Sequence, residues 1–209
     1  MRPHIIFNSA MSLDGKIEDQ KEGIELLNRL DKHRIHELRG SMDAIMVDVD
    51  MIIENDPVLD VRKTEGPEPD RIIVDPKAEI PLNARVLQGE WNKIIAISSA
   101  APRKRTEKLK KIKRLEIIRS GEFTVNLPEL LGRLYEKGIR KLMVEGSGSL
   151  PSRMFNEDFI DEIYIEILPI VVGKGKELFE KDIDSIVKLD LEGILQYGDQ
   201  VILHYIVKR

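Results

Sequence analysis

The segment Val144 to Leu150 (Val-Glu-Gly-Ser-Gly-Ser-Leu) places small residues between an apolar run and a run with helical spacing. Small residues let the backbone approach a ligand, and the N–H groups at a helix start attract an anion. Phosphate binding is one interpretation, and an ordinary turn with Ser149 as the helix N-cap is the other. The segment is no Rossmann fingerprint, because Pro151 occupies the third glycine position, and no Gly-Lys-Ser/Thr of a Walker loop follows.

Carboxylates stand close to two predicted element ends. Glu145 ends an apolar run, where open α/β sheets bind ligands, so it is a candidate for bonding a substrate amino group; a solvated or lysine-paired carboxylate is the alternative. The segment Asn55 to Arg62 places two further acids and an arginine after a short helix. Because Asp-Pro commonly opens turns, a purely structural role for this second segment stays open.

Other charged groups point less clearly to chemistry. The residues Gly173 to Lys176 are either a phosphate-binding loop or a flexible exposed loop. The basic run Arg103 to Arg114 has no interleaved aromatic residues and the chain carries a net charge of −4, so we expect a solvated helix face and no nucleic-acid partner. His33 and His36 lack a third ligand, so no metal site is expected. The sequence contains no Gly-x-Ser-x-Gly elbow, so it does not indicate a hydrolase of that kind.

A length of 209 residues fits one large domain or two very small ones, and we expect a single domain over residues 1–209. The 42% of hydrophobic residues indicates a globular protein, and no cysteine is present for disulfides or thiolate chemistry. The first residues become polar too early for a signal peptide, and no apolar run is long enough to cross a membrane, so a cytoplasmic protein is expected. Abundant Lys and Glu is weakly typical of thermophiles. The residues 64–69 suggest a surface loop.

Apolar runs alternate with segments of helical spacing along most of the chain. This alternation predicts an α/β fold with a mixed, mostly parallel sheet, and the turn at Tyr197 to Gln200 predicts an antiparallel hairpin at the C-terminus. The predicted strands cover residues 4–10, 43–47, 71–74, 94–97, 115–118, 141–144, 162–168, 187–196 and 201–207, and the predicted helices cover 31–39, 51–54, 103–113, 127–137 and 150–156.

Several motifs follow one another along the chain, namely Met11 to Ile17, Ile35 to Arg39, Asp43 to Val47, Asp56 to Arg62, Arg71 to Asp75, Pro81 to Leu87, Val144 to Gly148 and Asp161 to Pro169. Their joint order resembles the reductase of riboflavin biosynthesis, which is also the C-terminal domain of the bacterial deaminase–reductase. The stand-alone archaeal form is the most similar. The resemblance implies a dihydrofolate-reductase-like three-layer fold, a homodimer, NADPH, and reduction of the ribosyl group of 2,5-diamino-6-ribosylamino-4(3H)-pyrimidinone 5′-phosphate to ribityl.

The resemblance also implies roles for individual residues. For the substrate, it implies contacts from Asn8 on the first strand, from Asp56, from Arg62 near the phosphate and from Glu145 near the pyrimidine, with Glu145 also the catalytic candidate. For the cofactor, it implies a pyrophosphate site at the glycine-rich turn and contacts along neighbouring segments. The implied cofactor residues are Met51, Asn55, Val74, Asp75, Gly146, Ser147, Gly148 and Ser149.

The chain departs from the family pattern at acidic positions. Val47 to Met51 reads Val-Asp-Val-Asp-Met where the family usually has Val-Gly-x-Gly-Thr, which adds negative charge where a phosphate is expected. Asp60 replaces a usual threonine near Arg62. Two alternatives therefore stay open: a divergent paralogue that reduces another pterin or pyrimidine with NADH or NADPH, and a non-catalytic ligand-binding protein on the same scaffold.

Overall fold

The computed structural model describes residues 1–19, 29–62, 66–179 and 183–209. Part of the loop predicted at 64–69 lies outside these residues. The chain forms two compact units, of which unit 1 comprises Met1–His4 with His36–Met143 and unit 2 comprises Ile5–Ile35 with Val144–Arg209. The expectation of one domain over residues 1–209 stays a prediction.

Strands and helices alternate through most of the chain. The helices are α1 (Arg29–Gly40), α2 (Val49–Asn55), α3 (Arg103–Leu109), α4 (Leu127–Glu136) and α5 (Ser149–Asn156), with a 3₁₀ turn at Arg85–Leu87. The strands are β1 (His4–Ser12), β2 (Lys16–Asp19), β3 (Ala44–Asp48), β4 (Asp70–Val74), β5 (Lys93–Ile97), β6 (Leu115–Arg119), β7 (Lys141–Glu145), β8 (Glu162–Leu168), β9 (Gly175–Glu177), β10 (Leu189–Tyr197) and β11 (Gln200–Val207).

Unit 1 contains parallel strands in the order β3-β4-β5-β6. The strands β4 and β5 are buried along nearly their whole length, which is why they read as continuous apolar runs rather than as alternating ones. Asn126 is the N-cap of helix α4, and its side chain accepts a hydrogen bond from the Glu129 N–H at 2.9 Å. Its apolar stripe of four leucines is buried: Leu127, Leu130, Leu131 and Leu134.

Unit 2 is mixed. Strand β1 pairs with β8 in parallel, β8 pairs with β11 antiparallel, and β10 and β11 form the C-terminal hairpin, whose turn residue Gly198 has φ 59°. The predicted α/β class, with mostly parallel strands and a closing antiparallel hairpin, is confirmed. A mostly apolar cavity of about 780 Å³ lies within this unit, lined by residues that include Phe7, Phe155, Ile165 and Leu203.

Two local predictions are wrong. Helix α3 ends at Leu109 rather than at residue 113, because the chain turns at Lys110 and Arg114 adopts φ 57°. The loop Gly173 to Lys176 is not simply flexible, because Gly175–Glu177 forms β9 against β2. The Asp14 carboxylate holds the approach to β9 by accepting from the Val172 and Gly173 N–H groups at 3.0 and 2.7 Å, and these bonds lower the pKa of Asp14 to about 2.

Candidate functional site

The glycine-rich turn joins β7 to α5 in unit 2. Gly146 has φ 108° and Gly148 has φ 96°, backbone conformations that a side chain would strain. The helix N-cap is Gly148, so the interpretation of Ser149 as the N-cap is wrong, and Ser149 is the first helical residue. The Gly148 N–H donates to the Leu178 carbonyl at 3.3 Å, and the Ser152 hydroxyl donates to the Gly148 carbonyl at 3.0 Å.

This turn fits a diphosphate group. It combines two glycines in glycine-specific conformations with small serines at the start of an eight-residue helix. The N–H groups of a first helical turn have no partners within the helix, and the helix dipole is positive at that end. Because the Gly146 and Gly148 N–H groups already donate to the Asn8 and Leu178 carbonyls, the two glycines would give an anion close approach to this end of α5 rather than hydrogen bonds.

A buried arginine supports the predicted substrate residue Asn8. The Asn8 side chain is buried on β1, and its Oδ1 accepts from both terminal nitrogens of Arg34, at 3.3 and 3.4 Å. With its oxygen turned to a cation, the amide keeps its N–H₂ group for another acceptor. Arg34 lies on α1, 26 residues after Asn8 in the chain, and no sequence motif predicted its role.

Polar side chains continue from Asn8 across the neighbouring strands of unit 2. Asn8 is in register with Tyr164 on β8, which is in register with His204 on β11. The Tyr164 and His204 rings stack with centroids 4.1 Å apart, and His204 Nε2 lies 2.9 Å from a Glu162 carboxylate oxygen. Burial, then the nearby Glu162 carboxylate, raises the pKa of Tyr164. The alternation of polar and apolar residues along these strands did not predict this row of polar side chains.

Glu145 is the half-buried last residue of β7, directly before the turn, and it interacts with other parts of the chain. It therefore stands at the end of a strand, as predicted. Its expected contact with a pyrimidine, and its role as the catalytic candidate, stay predictions.

In unit 1, the predicted phosphate ligand Arg62 forms a network with three other residues. The Arg62 Nε lies 2.8 Å from an Asp60 carboxylate oxygen, and the Arg62 backbone N–H donates to His36 Nδ1 at 3.2 Å. Arg39 donates to the Asp60 carbonyl at 3.3 Å. Asp60 is buried, whereas the Arg62 side chain is 65% exposed. The Arg62 backbone is thus fixed by hydrogen bonding, while most of its side chain is exposed to solvent.

His36 is buried beneath this network. Burial, followed by the positive charge of Arg39, lowers the pKa of His36 and outweighs the opposing effect of Asp60. A neutral imidazole has one acceptor nitrogen, and Nδ1 takes that role toward the Arg62 N–H. His36 therefore fixes the backbone at Arg62. The sequence analysis missed this role, because it considered His36 only as a possible metal ligand together with His33.

Two predicted ligand contacts involve carboxylates that the fold itself uses. Asp75 is fully buried, and its two oxygens accept from the N–H groups of Glu79 and Ile80 at 2.8 and 2.9 Å. Burial raises the pKa of Asp75, and these two bonds oppose the rise. Asp56 has φ 40°, ends α2, and accepts from the Arg85 N–H at 2.7 Å. The Asp75 carboxylate and its backbone N–H, which donates to the Ala96 carbonyl, are thus used within the fold, and the contact of the Val74–Asp75 segment with a cofactor stays a prediction.

The remaining predicted cofactor residues of unit 1 lie at element ends or on α2. Val74 is the buried last residue of β4. Met51 is half-buried and Asn55 is exposed at the last position of α2. Asp48, the N-cap of α2, makes no side-chain capping bond, and Asp50 lies in the first turn. The added acids therefore stand at the N-terminal end of α2.

Among the residues that the structure describes, no three His, Asp or Glu side chains form a group that could hold a metal ion. No helix in the described ranges has the length and apolar character needed to cross a membrane.

Comparisons with known proteins place these features in context. The RibD C-terminal domain family matches residues 3–203. The chain is 36% identical, over all of both chains, to the 2,5-diamino-6-ribosylamino-4(3H)-pyrimidinone 5′-phosphate reductase of Methanothermobacter thermautotrophicus. A protein of the same name from Archaeoglobus fulgidus is 36% identical over 83% of each chain. The structure of Acinetobacter baumannii RibD has a TM-score of 0.85 at 20% identity, with 99% of this chain covering 58% of that longer one. This structural likeness confirms the fold.

Proposed function

The chain belongs to the RibD C-terminal domain family, and from this premise we propose that it reduces the ribosyl side chain of 2,5-diamino-6-ribosylamino-4(3H)-pyrimidinone 5′-phosphate to ribityl, with NADPH as the donor. The observation that carries the proposal is the 36% identity, over the whole of both chains, to a protein named as that reductase. The glycine-rich turn, which fits a diphosphate, supports a dinucleotide cofactor.

The proposed reaction gives roles to several of the predicted site residues. The glycine-rich turn Gly146 to Ser149 would receive the diphosphate of the cofactor at the start of α5. When bound, the nicotinamide would supply a hydride to C1′ of the opened sugar imine, and the imine nitrogen would take a proton from solvent. Asn8, oriented by Arg34, would donate from its amide nitrogen to the substrate, and Glu145 would accept from an amino group of the pyrimidine. The protein's task is to orient the two reactants.

The phosphate end of the substrate is assigned to Arg62, because its guanidinium is exposed and anchored. Arginine suits this role since its fixed donors match phosphate oxygens in pairs. Asp56 would contribute through the backbone geometry that it gives the start of this loop, since its carboxylate is bonded to Arg85. Met51, Asn55 and the backbone of Val74 and Asp75 are proposed to line the cofactor.

NADH use by a divergent paralogue is the second candidate, favoured by Asp48 and Asp50 at the start of α2. Carboxylates disfavour the 2′-phosphate that distinguishes NADPH from NADH. Calorimetric titration of the purified protein with each cofactor decides between them, and tighter NADPH binding is expected. Binding of neither cofactor would favour a non-catalytic ligand-binding protein.

The activity itself is tested by incubating the protein with the pyrimidine phosphate and NADPH while following the loss of absorbance of the reduced nicotinamide. We expect stoichiometric formation of the ribityl product. Binding of NADPH without any product would overturn the substrate assignment and favour a paralogue with another pterin or pyrimidine.

We also propose a homodimer that works in the cytoplasm. Strand β10 supports self-association because it lies at a sheet edge with several exposed apolar side chains, namely Leu189, Leu191, Ile194 and Leu195. Sedimentation velocity at several protein concentrations should give twice the mass of 24.0 kDa, and a monomer at all concentrations would contradict the proposal.

A further inference from the structure

Asp60 is the least expected member of the Arg62 network. Its side chain is 10% exposed, and its Oδ2 forms an ion pair with Arg62, 2.8 Å from Nε. The other oxygen, Oδ1, is buried and has no hydrogen-bond partner among the residues described. A buried carboxylate oxygen without a donor lowers stability rather than raising it. Stability therefore does not explain a carboxylate at this position.

The position of this ion pair, at Nε, determines which side of the Arg62 guanidinium is left for a ligand. A guanidinium has five N–H donors, of which Nε carries one and the two terminal nitrogens carry four. Within the described part of the chain, the terminal nitrogens of Arg62 have no partner, while the Nε is held by Asp60. The edge formed by Nη1 and Nη2 is thus the edge that an incoming phosphate meets.

The backbone of the same residue is held as well. His36 Nδ1 accepts the Arg62 N–H, and Arg39 binds the Asp60 carbonyl, so the main chain on both sides of Val61 is tied to α1. The loop also contains Leu59, which is buried with φ 60°, an unusual conformation for a residue with a Cβ. A fixed backbone combined with a fixed Nε removes most of the freedom of an otherwise exposed side chain.

We propose that Asp60 is a positioning residue, which holds Arg62 through Nε so that its two terminal nitrogens bind two oxygens of the substrate's 5′-phosphate. The inference rests on the proposed function, since it takes the phosphate of that substrate as the ligand. Pre-orientation lowers the entropy lost when the arginine binds, and a paired contact adds directional specificity. The negative charge of Asp60 opposes this gain, because it partly neutralises Arg62.

Two substitutions separate orientation from charge. Asp60→Asn and Asp60→Ala remove the same charge, but only asparagine keeps an oxygen that can accept from Nε. We expect the Kd of the pyrimidine 5′-phosphate to be about tenfold higher for Asp60→Ala than for Asp60→Asn, which corresponds to the loss of one oriented contact. The same two variants should bind the dephosphorylated compound equally well.

Steady-state kinetics supplies a readout that a merely structural defect would not produce. Asp60→Ala should raise the KM for the phosphorylated substrate with little change in kcat, and the KM for the dephosphorylated compound should stay constant. Glu129→Ala is the matched control, because it removes the carboxylate of a surface pair with Arg133 at 2.6 Å. This control should leave both constants unchanged.

The unfolding midpoint of Asp60→Asn checks the premise about the buried oxygen, and it should equal or exceed that of the wild type. Equal Kd values for Asp60→Asn and Asp60→Ala, or equal effects on the two compounds, would overturn the positioning role while leaving the reductase assignment intact. If the wild type neither binds nor reduces the pyrimidine phosphate, the proposed function fails first and the positioning role fails with it.

Discussion

Single carboxylates in this chain have different tasks according to their burial and donors. Asp75 and Asp60 are both buried, yet Asp75 accepts two backbone N–H bonds whereas one oxygen of Asp60 has no donor in the described ranges. Asp75 therefore stabilises the turn that follows β4, and Asp60 has a role outside stability. The sequence shows both simply as acids beside apolar runs, and only the folded contacts separate them.

The structural role of Asp75 predicts a large effect on stability. Asp75→Ala would leave the Glu79 and Ile80 N–H groups without their acceptors, at a cost of about 2 kcal/mol in the free energy of unfolding. Urea denaturation with a constant m-value measures this change. Asp50→Ala, an exposed aspartate of α2, is the control and should differ from wild type by less than about 0.5 kcal/mol. A small effect at Asp75 would show that water replaces its bonds.

His36 predicts how stability depends on pH. Its pKa in the folded state lies below the ordinary 6.5, so the unfolded chain binds more protons at this site, and stability falls as the pH drops below about 6.5. The slope from this group is at most about 1.4 kcal/mol per pH unit. His36→Gln keeps an acceptor for the Arg62 N–H and should remove this component in urea titrations between pH 5 and 7.5. If the slope of stability against pH is unchanged in His36→Gln, other groups cause that slope. His4→Gln, a substitution of an exposed histidine, is the control.

At the scale of elements, predictability followed periodicity. The apolar strands β3, β4 and β5 and the amphipathic α4 were all predicted from their patterns, since burial on both faces or on one stripe leaves a clear signature. Strands β2 and β9 were missed because four and three mostly polar residues carry no period. Helix α3 was predicted too long because every Lys and Arg beyond Leu109 is compatible with a helix.

Two glycines, one in the turn before α5 and one inside α4, give a matched pair of predictions. Gly148 has φ 96° and ψ −142°, which only glycine adopts readily, so Gly148→Ala should lower the free energy of unfolding by about 2 kcal/mol and weaken NADPH binding. Gly132 lies inside α4 with open space around its Cβ position, so Gly132→Ala should raise the free energy by up to about 1 kcal/mol. Equal effects at the two positions would show that the turn has no special backbone requirement.

At the scale of the whole molecule, the sequence located the site segments but not the contacts that organise them. Asn8 and Arg62 were identified through motif order, whereas their partners Arg34 and His36 each stand 26 residues away and become neighbours only on folding. The fold class was predictable because it depends on the order of buried elements. The detailed site was not, because hydrogen-bond partners depend on tertiary distances that no local pattern encodes.

Ligand linkage tests the cofactor assignment on the intact chain. A ligand that binds only the folded protein at 100 times its Kd raises the free energy of unfolding by about 2.7 kcal/mol. For a chain of 209 residues this corresponds to an increase in the thermal midpoint of about 5–10 °C. We expect NADPH to produce this shift, and NADH at the same concentration to produce a smaller one. Calorimetric scans with each cofactor measure both shifts, with inorganic phosphate as the control for general anion binding. A larger shift with NADH would mean that Asp48 and Asp50 act against the 2′-phosphate, and no shift with either would contradict a nicotinamide cofactor at the glycine-rich turn.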